Sequence, residues 1–175
     1  MTCSARTVYL RRAPHEAFFT PGGKEICVAV RGESHVSVID VASLKETLQI
    51  QATDGAAMVI FRPDGVVAFV NRSRSAELTV VDVKTHAVVK RITGLVSPFS
   101  PNLAASPDGK EVWLTHKDVG KVSIVDAQNF VVIRELQGVD SVDVLGRGLA
   151  PGRTYRVFAL MPGGAQQFIA GRPQI

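Results

Sequence analysis

A chain of 175 residues that is 46% hydrophobic and 21% charged carries enough apolar material for one sizeable core, which excludes a disordered or fibrous class. Its formal charge of +4 comes from Lys and Arg scattered along the length rather than clustered, so solubility accounts for it at least as well as a polyanionic partner does. Cys3 and Cys27 stand 24 residues apart with no C-x-x-C, so neither a disulfide framework nor a metal-ligand set follows, and Cys27 reads as a small buried hydrophobe.

The chain opens on residues 1–13, an N-terminal strand or tail, in which Met1–Arg12 shows no charged-then-apolar export segment; no apolar run of about 18 residues follows anywhere. Three repeats come next, at residues 14–54, 55–98 and 99–140. Each has a Pro-x-Gly turn, opened by Pro21, Pro63 or Pro107 and closed by Gly23, Gly65 or Gly109, and nineteen residues after each proline stands Asp40, Asp82 or Asp126. Aligned on the prolines, the first apolar run is 17–19, 59–61 or 103–105, and the second is 26–28, 68–70 or 112–114. A third ends at the aspartate, over 36–39, 78–81 or 122–125, and a fourth covers 46–50, 88–92 or 132–136.

These runs are short, rich in β-branched residues and punctuated by Gly, Pro, Asp and Asn, so they predict four antiparallel strands per repeat rather than helices. In the Pro-x-Gly turn proline presets φ and glycine accepts a positive φ. Asp40, Asp82 and Asp126 are each followed by Ser43, Thr85 or Asn129, the pattern of a turn in which short polar side chains bond nearby backbone N–H groups. A feature stamped in all three copies has a structural role rather than a catalytic one.

Residues 141–175 hold a weaker copy. Pro151 lies 44 residues after Pro107, Thr154 to Ala159 falls at the second strand and Gln166 to Ile169 at the third, but the aspartate column holds Ala170. From 146 to 175 there is no Asp, Glu or Lys, while Arg147, Arg153, Arg156 and Arg172 remain. That shift in composition leads to the expectation of a degenerate or frame-disturbed partial blade, in a truncated piece of a longer protein; a short chain whose last repeat has decayed is the alternative.

A period of about 40 to 45 residues with four strands is that of a β-propeller blade of WD40-like size. The stretches "PHEAFFTPGGKEICVAVRGESHVSVIDV", "MVIFRPDGVVAFVNRSRSAELTVVDV" and "SPFSPNLAASPDGKEVWLTHKDVGKVSIVDA" resemble the YVTN-type β-propellers, bacterial proteins of the YncE-like group. The likeness covers residues 14–136. It implies an all-β radial array, of which this chain holds about three complete four-stranded blades of a ring that usually has about seven. Relatives of this type are commonly exported, so it also implies a periplasmic location. Blade faces left without a neighbour would associate, with a capping partner or in a homo-oligomer.

On a propeller, the loops between second and third strands and those entering each first strand gather on one face, where ligand sites concentrate. Here that face gathers His15 and Glu16; Thr53 and Asp54; and Ser97 to Asn102. The other loops add Arg31, Glu33 and His35; Arg72, Arg74 and Glu77; and His116, Lys117, Asp118 and Lys121. His15 stands where the other copies hold Ala57 and Pro101, and Arg31 where they hold Ser73 and Lys117. Arg31 suits a bidentate carboxylate or phosphate contact, and His116 suits a ligand or acid–base role. The candidates for ligand or partner contact are therefore His15, Glu16, Arg31, His35, Arg72, Arg74, Asn102, His116 and Lys117.

No paired carboxylates, nucleophile with base, phosphate loop or metal cluster stands out, so a non-catalytic binding or scaffold module is the leading expectation, taking a protein partner or small ligand and requiring no cofactor. Nucleic acid, held in low salt and released in high salt, is a weaker expectation. Likeness to lactonase-type propellers implies an alternative, hydrolysis of a sugar lactone with Arg31, His15 and Glu16 as equivalents by type. Likeness to the haem-carrying propeller of nitrite reductases implies a redox alternative with His15 or His116 on iron, for which no C-x-x-C-H attachment is present.

Overall fold

The structure, a computed structural model, describes residues 6–52, 55–100, 102–137, 157–160 and 166–170. Among these residues there is no helix, as the short β-branched runs require. The first sheet orders β1 (Pro14–Phe19), β2 (Glu25–Val30), β3 (His35–Asp40) and β4 (Lys45–Gln51) as neighbours in sequence. The second does the same with β5 (Ala56–Phe61), β6 (Val67–Arg72), β7 (Glu77–Asp82) and β8 (Val88–Thr93). The third holds β9 (Leu103–Ala105), β10 (Glu111–His116), β11 (Lys121–Asp126) and β12 (Val131–Gln137). All pairings are antiparallel, giving three blade-like meanders. In the weaker copy β13 (Val157–Leu160) and β14 (Gln166–Ala170) form one antiparallel pair; Pro151, Thr154 and Arg172 lie outside the described residues, as does Cys3.

The sheets stack face to face because alternate residues of their middle strands are apolar on both sides. Cys27, Ala29, Val36 and Val38 of the first sheet bury against Val59, Ala68, Val70 and Val81 of the second. Phe69, Leu78 and Val80, on the second sheet's opposite face, bury with Val112, Leu114 and Val125 of the third. The first strands β1, β5 and β9 are neighbours across blades, whereas β4 and β8 are mostly exposed at the outer edge.

At one rim the repeated turns close each blade. Gly23, Gly65 and Gly109 donate their N–H groups to Thr20, Arg62 and Ser106 carbonyl oxygens at 2.8, 2.8 and 2.9 Å, with φ of 67°, 72° and 71°. The aspartate turns repeat as closely: Asp40 Oδ1 accepts from Ser43 N at 2.7 Å, Asp82 Oδ1 from Thr85 N at 2.7 Å, and Asp126 Oδ1 from Asn129 N at 2.8 Å. The next residue in each, Leu44, His86 or Phe130, takes φ of 55°, 58° or 57°, which a non-glycine residue adopts only when its surroundings impose it. Those bonds hold the Asp40, Asp82 and Asp126 carboxyls below the usual carboxylate range.

Candidate functional site

The opposite rim is where the chain carries its out-of-column polar residues, and backbone bonds knit its loops together. Ala52 and Gly55, entering the second blade, donate to Ser34 and Glu33 carbonyls of the first blade at 3.0 and 3.2 Å. Ser100, entering the third, donates to the Arg72 carbonyl of the second at 3.2 Å. In the first two blades the end of strand two or the loop after it is thereby fixed to the segment that leads into the next blade.

Three side chains from different segments meet on this rim. The pairing of β1 with β2 slips by one residue between Pro14 and Glu16, and His15 occupies the slip, an irregularity of the kind that re-aims a side chain. Its Nδ1 lies 2.7 Å from the carbonyl oxygen of Ala57, the residue in its own column one blade on. Its Nε2 lies 3.4 Å from Nη1 of Arg31. The guanidinium carbon of Arg31 sits 5.8 Å from the centre of the Phe99 ring, within the range of a cation–π contact. Glu16 completes the group, with Oε1 3.9 Å from His15 Nδ1. Gly32 allows the loop its course, since a Cβ there would meet the Arg12 carbonyl oxygen at 2.3 Å.

Arg74 and Lys117 are exposed on the same rim, and Asn102 is half-buried with its carbonyl oxygen accepting from Thr115 N at 3.0 Å. Asp118 accepts from Ser97 Oγ at 2.6 and 2.8 Å, tying the third blade's loop to the segment that carries Phe99. Thr53, Asp54 and Pro101 lie outside the described residues.

The remaining three sequence candidates are buried at strand ends rather than presented by loops. Arg72, only 1% exposed, shares its strand face with Ala68 and Val70, which pack on the first sheet. Its Nη1 pairs with Glu77 and donates to Ser75 Oγ at 2.7 Å, and its Nη2 donates to Thr79 Oγ1 at 2.7 Å. His116, in the same column one blade later, is fully buried on the face that Val112 and Leu114 turn to the second sheet. Its Nε2 lies 2.8 Å from Ser123 Oγ, and Ser123 is the counterpart of Thr79. Burial lowers the His116 pKa, against the raising effect of Glu135 and Asp118. His35 is buried at the start of β3, on the face that also carries Ser37 and Ile39. Arg72 and His116 thus end strands on faces that meet a neighbouring sheet and find side-chain partners within their own blades, while His116 Nδ1 and His35 Nε2 are buried without a hydrogen-bond partner among the described residues.

Phe99 is the member of the rim cluster that sequence reasoning missed; its one local signal is an aromatic residue between Pro98 and Pro101, in a segment otherwise read as a rigid loop. Asn71 was missed too: it donates to Ser100 O at 2.6 Å and accepts from Met58 N at 2.7 Å, fixing the approach to the third blade.

Three stacked antiparallel four-stranded sheets with their first strands side by side define a β-propeller-type repeat protein. No family model matches the chain. The uncharacterized protein YncE of Salmonella typhi is 30% identical over 67 residues, 38% of this chain and 18% of that protein. Protein NirF of Stutzerimonas stutzeri is 22% identical over 127 residues, 71% of this chain and 32% of that protein. In structure, all of the chain superposes on 53% of a chain of Kuenenia stuttgartiensis hydrazine synthase, with a TM-score of 0.73 and 17% identity. These similarities support a YncE-like propeller, and the chain spans less than a third of the length of the curated relatives it matches.

Proposed function

We propose that this chain is a non-catalytic binding or scaffold module whose loop rim holds a ligand or partner through Arg31, oriented by His15 and Phe99. The single observation that carries this reading is the convergence of those three side chains from the β2–β3 loop, the β1 strand and the segment leading into β9. Arg31 makes one side-chain hydrogen bond among the described residues, to His15, which leaves most of its N–H donors for an anionic group. Stacking on Phe99 limits the guanidinium's freedom, so less conformational entropy is lost on binding.

One observation favours the lactonase-type alternative: Arg31, His15 and Glu16 do come together. Against it, Nδ1 of His15 is committed to the Ala57 carbonyl and Nε2 faces a guanidinium, so neither ring nitrogen is disposed to activate water. The haem alternative has less support, because His116 is buried against Ser123 and both nitrogens of His15 are engaged. A thermal-shift panel of oxyanions, carboxylates, sugar lactones and porphyrins separates these readings. The expected result is stabilisation by an anionic compound that Arg31→Ala removes, with no lactone turnover. Lactone hydrolysis that disappears in His15→Ala overturns the proposal.

A further inference from the structure

The two contacts of His15 fix its tautomer. A carbonyl oxygen only accepts, so the proton lies on Nδ1, which donates to Ala57 O over 2.7 Å. A guanidinium only donates, so Nε2 is bare and accepts from Arg31 Nη1 over 3.4 Å. His15 is neutral in this arrangement. A second proton on Nε2 would set two donors face to face, so a protonated His15 and the direct Arg31 contact exclude each other.

We propose that Arg31 and His15 form a proton-linked site for a tetrahedral dianion of the phosphate or sulfate type, which enters between guanidinium and imidazole as His15 takes up a proton at Nε2. The inference rests on the proposed function of the loop rim and names the chemistry of its ligand. When the dianion enters, Nη1 donates to one of its oxygens in place of Nε2, and the newly protonated Nε2 donates to another. Charge balances, with two positive groups around a dianion, and Nδ1 keeps its bond to Ala57. The gap between Nη1 and Nε2 widens to admit the dianion; before it enters, the guanidinium carbon sits 5.8 Å from the centre of the Phe99 ring. The charged side chains on the elements that meet His15 are Glu16 on its own strand, Arg31 and Glu33 on the β2–β3 loop, and Arg74 on the loop after β6. The Glu16 carboxylate lies 3.9 Å from Nδ1.

The test is long-range proton–nitrogen NMR of the His15 ring at about pH 8, where an ordinary histidine is neutral. Inorganic phosphate, methyl phosphate and sulfate are titrated into the wild-type chain, Arg31→Ala and His15→Gln. The expected result is a neutral Nδ1–H ring in the free protein, both nitrogens protonated at saturation with each dianion, and affinity at least about tenfold weaker in Arg31→Ala, as loss of a charge-assisted hydrogen bond requires. Sulfate does not titrate in this range, so proton uptake with sulfate belongs to the protein. Tighter binding of methyl phosphate than of inorganic phosphate identifies the ligand as a phosphate ester; the reverse order identifies the free ion. A ring that stays neutral with the dianion bound, or Arg31→Ala binding as tightly as wild type, overturns the inference. If the dianions fail but another compound of the thermal-shift panel still depends on Arg31, this inference alone falls; if no compound depends on Arg31, the proposed function falls with it.

Discussion

The Arg72–Glu77 pair offers a prediction whose size follows from burial. Arg72 is 1% exposed and Glu77 27% exposed, and Ser75 and Thr79 also accept from the guanidinium. Removing one partner of a buried ion pair costs about 3–5 kcal/mol; because Glu77 is partly solvated and Arg72 keeps other partners, Ser75 and Thr79 among them, Glu77→Ala falls at the low end, about 3 kcal/mol. Replacing the pair together, as Arg72→Met with Glu77→Leu, removes the desolvation penalty as well and returns stability to within about 1 kcal/mol of wild type, the remainder being the lost partner of Thr79. The first blade is a natural instance of the apolar solution, with Val30 in the column of Arg72. Urea unfolding followed by tryptophan fluorescence of Trp113 and by circular dichroism measures both variants; for a chain of this size about 3 kcal/mol also lowers Tm by about 6–12 °C. If Glu77→Ala costs less than about 0.5 kcal/mol, as an ordinary surface substitution does, the pair is solvated and the interblade reading of Arg72 is wrong.

Acid should destabilise the chain in two steps. His116 has a pKa lowered by burial, so its contribution is complete above the ordinary histidine value of about 6.5 and is lost as pH falls through the folded value; His116→Gln removes this step from a plot of unfolding midpoint against pH. Asp40, Asp82 and Asp126 are held low by their turn hydrogen bonds, so their contribution is complete above about pH 4 and lost below it, and a triple change to asparagine flattens that limb. Cys27 has its pKa pushed up to about 12, first by burial and second by the Glu25 charge, so a thiol reagent at about pH 8 should label it slowly in the native chain and rapidly in urea; equal rates contradict its placement between the first two sheets.

What could be read from sequence was what is local. The Pro-x-Gly and aspartate turns close within a few residues, so Pro21 with Gly23, or Asp40 with Ser43, announces itself wherever the chain goes. The strands followed because alternation and β-branching are also short-range. His15 and Arg31 stood out by departing from their columns, and they do meet at 3.4 Å. Phe99 gave no such signal, since its partner lies in another blade and only the stacking of sheets brings the two segments together. Arg72, His116 and His35 were read as loop residues because they sit next to turns. In the folded chain they are the last or first residues of strands, and the pleat turns Arg72 and His116 toward a neighbouring sheet and buries His35 on the first sheet's other face. The column shared by Thr79 and Ser123 carried that information for the second and third blades, where a hydroxyl in the middle of an apolar strand meets Arg72 or His116; its counterpart Ser37 in the first blade is buried without such a partner.

The central claim, that the rim holding Arg31 binds while the opposite rim closes the blades, is tested most directly by calorimetric affinity of the best anionic ligand for Arg31→Ala beside Lys24→Ala. Lys24 is an exposed cation on the closing rim, so the pair removes the same charge from opposite ends of one blade. The account predicts at least about a tenfold loss for Arg31→Ala, the worth of a charge-assisted hydrogen bond, and no change for Lys24→Ala. Equal losses in the two variants would reduce the binding to net charge and contradict a site on the loop rim.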